Sequence, residues 1–153
     1  QKSHTLVYPR KRYCTYLLMP IRNYPFSIIR PEDIARPYLP VTIINPDTNK
    51  QVSVYALIDT GADECAFPAS FAPIIGHNLQ DGQPKKVSTG NGITIAYGHT
   101  TRIVIEEFST QDVLVDFMPN LNIPLLGVRS FLSNFILTVD YPNKVFSLLL
   151  PNR

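Results

Sequence analysis

The stretch Ala56-Leu57-Ile58-Asp59-Thr60-Gly61-Ala62-Asp63 is the part of this chain best suited to do chemistry. An apolar strand running into an acid seats the carboxylate on a rigid, dry support. Two carboxylates that share one proton can hydrolyse an amide without metal or covalent nucleophile. One takes a proton from water while the other hydrogen-bonds to the carbonyl oxygen. Like charges about 3 Å apart cannot both ionise, which is what keeps one member of such a dyad protonated. Asp-Thr-Gly occurs once in the 153 residues. The single copy suggests that the chain holds only half of such a site.

Each neighbour of Asp59 has a physical task under this reading. The Thr60 hydroxyl can hydrogen-bond across an interface between two copies. Gly61 lets the backbone turn sharply, with positive φ open to it, and its N–H can point at the carboxylate. Ala62 offers no hydroxyl to the acid, so the dyad titrates higher than it would beside a serine, and a mildly acidic optimum is expected. Asp63 and Glu64 follow as candidate substrate-binding residues; the plain alternative is solvent-facing charge after a turn. Asp-Thr-Gly alone is a weak signal, because the same residues make ordinary turns.

The elements that must position these residues are short. Val41–Ile44 reads as a strand, 45–49 as a turn rich in Asn and Asp, and Gln51–Ile58 as the strand that feeds Asp59. Residues 68–72 read as one helical turn with Pro68 at its start, and 76–84 as loop. Lys85–Thr89 and Ile93–Tyr97 flank Gly90-Asn91-Gly92, a hairpin signal because Asn and Gly accept positive φ. Thr101–Glu107 and Gln111–Phe117 give two further strands. Ile123–Gly127 precedes a short helix over 128–134, and Phe135–Val139 with Lys144–Leu150 makes a last hairpin. Pro124-Leu125-Leu126-Gly127 echoes the apolar run before Asp-Thr-Gly. This pattern implies an all-β barrel or sandwich.

Composition narrows the class. Fourteen prolines and a mean hydropathy of zero fit a globular domain without long helices. No apolar run approaches the ~20 residues of a membrane span. Gln1 is not an initiator Met, so the reading leaves room for a removed leader; otherwise a cytoplasmic protein is expected. Cys14 and Cys65 fit two thiols in a reducing compartment, one disulfide being the alternative. His4, His77 and His99 are scattered, so neither a metal nor another cofactor is expected. The net charge of +2 hides an asymmetry: residues 1–37 hold seven Lys/Arg and two acids, and 38–153 hold seven and ten. The basic portion, with Arg10-Lys11-Arg12, could touch nucleic acid, but a solvated arm or one packed on the acidic body is favoured.

From about Tyr38 to Leu150 the sequence resembles the retroviral-type aspartic proteases, the retropepsin family, and especially its single-domain bacterial and archaeal members. The residues that carry the resemblance are Ala56–Glu64, the hairpin tip Thr89-Gly90-Asn91-Gly92, the run Ile123–Leu132 and the tail Phe135–Phe146. The resemblance implies a homodimer with one Asp59 from each chain, a closed acid-protease barrel, one or two short helices and a flap hairpin over a polypeptide substrate. It makes Asp59 catalytic and Thr60, Gly61 and Ala62 its support. Asp63 and Glu64, with Thr89, Gly90, Asn91, Gly92 and Ile93 at the flap tip, become substrate-binding. In the retroviral enzymes an Arg directly follows the downstream glycine and pairs with the counterpart of Asp63. Here Val128 takes that place and Arg129 comes one later, so the pair is expected to be lost or remade.

Residues 38–153 are thus read as the protease domain, and 1–37 as a basic extension: an arm, a propeptide or a dimer strand. The expected activity is endopeptidic, on extended, hydrophobic-leaning substrates. The alternative is a catalytically silent module of the same fold that binds extended peptides by strand pairing or dimerises a nucleic-acid-binding arm.

Overall fold

The structure, a computed structural model, describes residues 20–151. The basic triplet 10–12, His4 and Cys14 lie outside the described residues.

Eleven strands and one short helix follow in the order β1 (Ile21–Pro25), β2 (Tyr38–Ile44), β3 (Gln51–Ile58), β4 (Ala66–Pro68), α1 (Phe71–Ile74), β5 (Gln83–Thr89), β6 (Gly92–Ile105), β7 (Phe108–Ser109), β8 (Val113–Met118), β9 (Leu125–Leu126), β10 (Ile136–Asp140) and β11 (Val145–Leu149). Single 3₁₀ turns occupy Leu79–Asp81 and Leu132–Asn134. No helix among the described residues is long and apolar enough to cross a membrane.

The main sheet runs β2-β3-β9-β4-β8-β6-β5, and a further β2–β6 pairing closes it on itself. Closure follows from the length of β6. Its first part pairs with β5, its middle with β8, and its end with β2 and β7. Inward-facing residues such as Leu39, Ile43, Phe67, Ile103, Phe117 and Leu126 fill the barrel. The β2–β3 hairpin owes its register to its turn. Asn45 Oδ1 accepts from the Asp47 N–H at 2.9 Å, and Asn49 takes a left-handed φ of 60°. Outside the turn, Val41 and Ile43 face the core while Thr42 meets Ser53 on the outer face, hydroxyl to hydroxyl at 2.8 Å.

A second sheet, β1-β11-β10, packs Phe146 and Leu148 into the same core. β1 reaches it from the N-terminal side, with Ile21 opposite Leu148 and Tyr24 opposite Phe146. β10 forms one edge of this sheet and exposes Ile136.

Three local expectations differ from the structure. Ala66–Pro68 is a strand, because it is captured by β8 in parallel pairing; Pro68 ends that strand, and the helix starts later, at Phe71. Ile93–Tyr97 and Thr101–Ile105 are parts of one continuous strand, and Glu106 and Glu107 form the turn that follows it. The helix expected over 128–134 is only a turn followed by one 3₁₀ segment, with Ser133 N–H reaching back to Val128 O.

Candidate active site

Asp59 stands where two parallel strands end together. β3 and β9 pair Leu57 with Leu125 and Ile58 with Leu126, so the sequence echo is a spatial one. Leu57 N–H donates to Pro124 O at 2.8 Å, and Asp59 N–H to Leu126 O at 3.1 Å. Ala56 and Ile58 are buried below, which fixes the base of the loop. The carboxylate is half-buried, and its Oδ1 accepts from Gly61 N–H at 2.9 Å.

Gly61 does not use the left-handed backbone open to it: among the described residues only Gly76 and Gly92 are positive-φ glycines. A Cβ at Gly61 would sit 3.3 Å from Asp59 Oδ1. Thr60 is exposed, and its hydroxyl makes no hydrogen bond among the described residues.

The rest of the loop is fastened to residues 127–130. Val128 N–H donates to Ala62 O at 2.9 Å and Arg129 N–H to Asp63 O at 2.7 Å. Cys65 N–H donates to Ser130 Oγ at 2.7 Å, and Gly127 N–H to Cys65 Sγ at 3.3 Å. Burial pushes the Cys65 thiol up to about 11 despite these hydrogen bonds, so it stays protonated. A side chain at Gly127 would overlap the Glu64 carbonyl group and reach within 2.9 Å of Ala62 O. The displaced Arg129 does find acids: Nη2 lies 3.5 Å from Asp63 Oδ2 and Nη1 lies 3.4 Å from Glu64 Oε1. The side chains of Asp63 and Arg129 are 80% and 71% exposed, so these pairs are solvent-screened.

β5 and the start of β6 form the hairpin that faces this loop, with Thr89 opposite Gly92. Thr89 Oγ1 accepts from Asn91 N–H at 3.3 Å and donates to Gly92 O at 3.0 Å. Only Gly92 takes a left-handed φ, 111°; Asn91 does not, so the turn is not the one expected with both central residues at positive φ. Ile93 is 73% exposed just behind the tip.

Between loop and hairpin lies a cavity of about 530 Å³. It is lined by Gly61, Ala62, Asp63, Glu64 and Thr89 among the expected residues. Asp59 and Thr60 stand outside that lining at the start of the loop, as do Gly90, Asn91, Gly92 and Ile93 at the exposed tip. Sequence reasoning missed the other walls: Lys85 to Ser88 on β5, and Asp116, Met118, Leu121 and Leu125. A lone acid inside the apolar run Val113–Met118 was the available signal. A second cavity, of about 500 Å³, is lined by Ile29, Tyr38, Tyr55, Phe71 and Ile123 and lies away from the Asp59 loop. Among the described residues no group of three or more His, Cys, Asp or Glu is placed to hold a metal ion.

Comparison with known proteins agrees with this geometry. A solved retropepsin-like aspartic protease from Rickettsia conorii is similar over 78% of this chain and 94% of its own, at 23% identity and a TM-score of 0.59. That similarity shows the fold. The EIAV protease, solved in complex with the inhibitor HBY-793, is similar over 66% of this chain and 88% of its own, at 15% identity and a TM-score of 0.42, too low to build on. No curated protein sequence matches. The family model for the gag-polyprotein putative aspartyl protease matches residues 44–134, which takes in the Asp59 loop, the flap-like hairpin and the downstream Leu-Leu-Gly. An all-β barrel of retropepsin type and a family match over more than half of the sequence lead to one conclusion: the chain belongs to the gag-polyprotein aspartyl protease family.

Proposed function

We propose that the protein is an aspartic endopeptidase that works as a homodimer, with Asp59 of each copy forming the catalytic dyad. The observation that carries this reading is the Asp59 carboxylate itself. It is half-buried at the end of a core strand, steadied by Gly61 N–H, beside an exposed Thr60 that is free to grip a second loop. One ionised Asp59 accepts a proton from water as the oxygen attacks the scissile carbonyl carbon. The other, protonated, donates to the carbonyl oxygen. The tetrahedral intermediate collapses as the amide nitrogen takes up a proton and the C–N bond breaks. Asp63, Glu64 and residues 89–93 bind substrate backbone. We assign residues 38–153 to the protease unit, with 1–37 as a basic extension that lends the strand Ile21–Pro25 to its second sheet.

Replacing Asp59 by Asn should reduce turnover of an extended peptide by roughly 10²–10⁴-fold while leaving the fold intact. Equal turnover by the variant would remove Asp59 from the mechanism. The pH profile of the parent should peak in mildly acid solution, since Ala62 gives the dyad no hydroxyl; a maximum below about pH 3 would contradict that. Sedimentation of active protein as a strict monomer would end the shared-site reading.

The silent peptide-binding alternative has one observation in its favour. β5 is an edge strand, with Lys85, Lys86, Ser88 and Thr89 exposed, and an edge can pair with an extended peptide whether or not cleavage follows. Retained peptide binding without turnover in the parent protein would select it.

A further inference from the structure

The floor of the cleft is apolar except at one point. Ala66, Ala96 and Met118 are buried together, with Val87, Leu121 and Leu125 packed against them. Beside them, on the wall of the same cavity, stands Asp116, flanked in the sheet by Ala66 of β4 and Gly98 of β6. Its side chain is only 9% exposed, and its Oδ2 lies 2.6 Å from Nζ of Lys85. Lys85 comes from β5, the outer arm of the hairpin, and is 47% exposed.

An ion pair with one partner half-exposed is weak evidence for stability, because solvent screens the ammonium. Its position suggests a different use. An ammonium has three N–H donors, and this one shares itself with a carboxylate that can accept more than one hydrogen bond. The cleft wall thus offers a donor beside an acceptor. An entering carboxylate would gain Lys85 but meet Asp116, Asp63 and Glu64. An entering cation would meet Lys85 and Lys86. An apolar side chain would cover the pair and strip its water without replacing it. A carboxamide carries a C=O next to an NH₂ and matches both partners without adding charge.

We propose that the Lys85–Asp116 pair makes this part of the cleft a subsite for a carboxamide side chain, Gln or Asn, in an extended polypeptide. The inference rests on the reading of this cleft as a polypeptide site. In a two-fold dimer the subsite occurs twice, once on each side of the scissile bond. The selected sequences therefore carry carboxamides at two positions, separated by apolar residues that face the remaining floor.

Binding separates this idea from catalysis. A positional-scanning library of extended peptides is offered to the Asp59→Asn protein and to the same protein carrying Lys85→Met and Asp116→Leu. The first should favour Gln or Asn over Met, Leu and Glu by roughly tenfold at specific positions, the scale of one charge-assisted hydrogen bond. In the second, that preference should vanish at those positions and turn apolar, with the other positions unchanged. Identical profiles would overturn the proposal. So would a uniform loss of affinity at every position, the mark of a flap tether, or an absence of peptide binding. Cleavage is scored separately on the parent protein: a parent that binds the carboxamide peptides but does not cut them overturns the catalytic reading and leaves the subsite standing.

Discussion

The two halves of the cleft are built in opposite ways. The Asp59 loop is sewn to residues 126–130 by backbone and side-chain hydrogen bonds, with Cys65 and Leu126 fully buried beneath it. Gly127 there has no room even for a methyl group. The hairpin tip is its opposite: nothing lies within 4 Å of where a Cβ would stand at Gly90 or Gly92, and Ile93 is left exposed. A catalyst gains from holding its acid within fractions of an ångström, while whatever covers the substrate must let it in. The same residue type, glycine, serves both sides. It makes close packing possible in one and turn geometry in the other.

Glycine replacements therefore give the sharpest way to break the comparison. Gly127→Ala should have the largest effect. Its Cβ meets the backbone of Glu64, which cannot swing aside like a side chain, so a loss of about 1–3 kcal/mol or more in chemical denaturation is expected, with loss of activity. A fully stable, active variant would show that the loop is looser than the structure has it. Gly92→Ala comes next. The space is open, but φ of 111° is strained for any residue with a Cβ, at a cost of about 1–3 kcal/mol. Because that strain falls on the tip, peptide affinity should suffer more than the Asp59 loop. Gly90→Ala, with open space and no left-handed φ, should be close to neutral by the same measurement. If Gly90→Ala proved as harmful as Gly127→Ala, the contrast between the two sides would fail.

The root of the hairpin supplies a small effect that is read against pH. His77 and His99 stack at 4.5 Å against Phe117, beside the 3₁₀ turn at Leu79–Asp81 that leads into β5. His77 bonds Asn45 and Thr101, and His99 Nε2 bonds Leu79 O. Burial holds the His77 imidazole below its usual range, and a charge on His99 pushes the same way, against Asp47 and the Thr100 backbone. The unfolded chain then binds this proton first. Stability should fall as pH drops through the ordinary histidine range near 6.5, be fully diminished below the folded-state value, and be unaffected well above it. Thermal midpoints at about pH 7.5 and about pH 5.5 should differ in that direction, and less so for His77→Gln. No change on acidification would mean that the histidine pair does not govern this root.

Much of the scaffold around Asp59 was legible in the chain. Gln51–Ile58 was read with its observed bounds, because alternation at its start and a fully apolar end match a strand that enters the core. The hairpin around 90–92 was read from turn chemistry, although the turn it forms puts only Gly92 at positive φ. What stayed hidden depended on distance along the sequence. Three-residue β4 has no period of its own and exists because β8 is there to pair with it. The continuity of β6 was masked by Gly98-His99-Thr100, which looks like a break but pairs with β8. Lys85 and Asp116 could not be joined from spacing alone, since two unrelated strands bring them together. Arg129, one place off the retroviral pattern, still reaches Asp63 and Glu64, because the long side chain makes up for the shift.

The stitching between the Asp59 loop and the segment at 127–130 also sets an order of events during synthesis. Cys65 N–H waits for a hydroxyl that lies 65 residues further along. A ribosome that has released Asp59 but not yet Ser130 has exposed the acid without its brace. A chain arrested or truncated in that interval should carry the motif on an unfastened loop. The bracing of the Asp59 loop is thus ordered in time by the connectivity of the barrel.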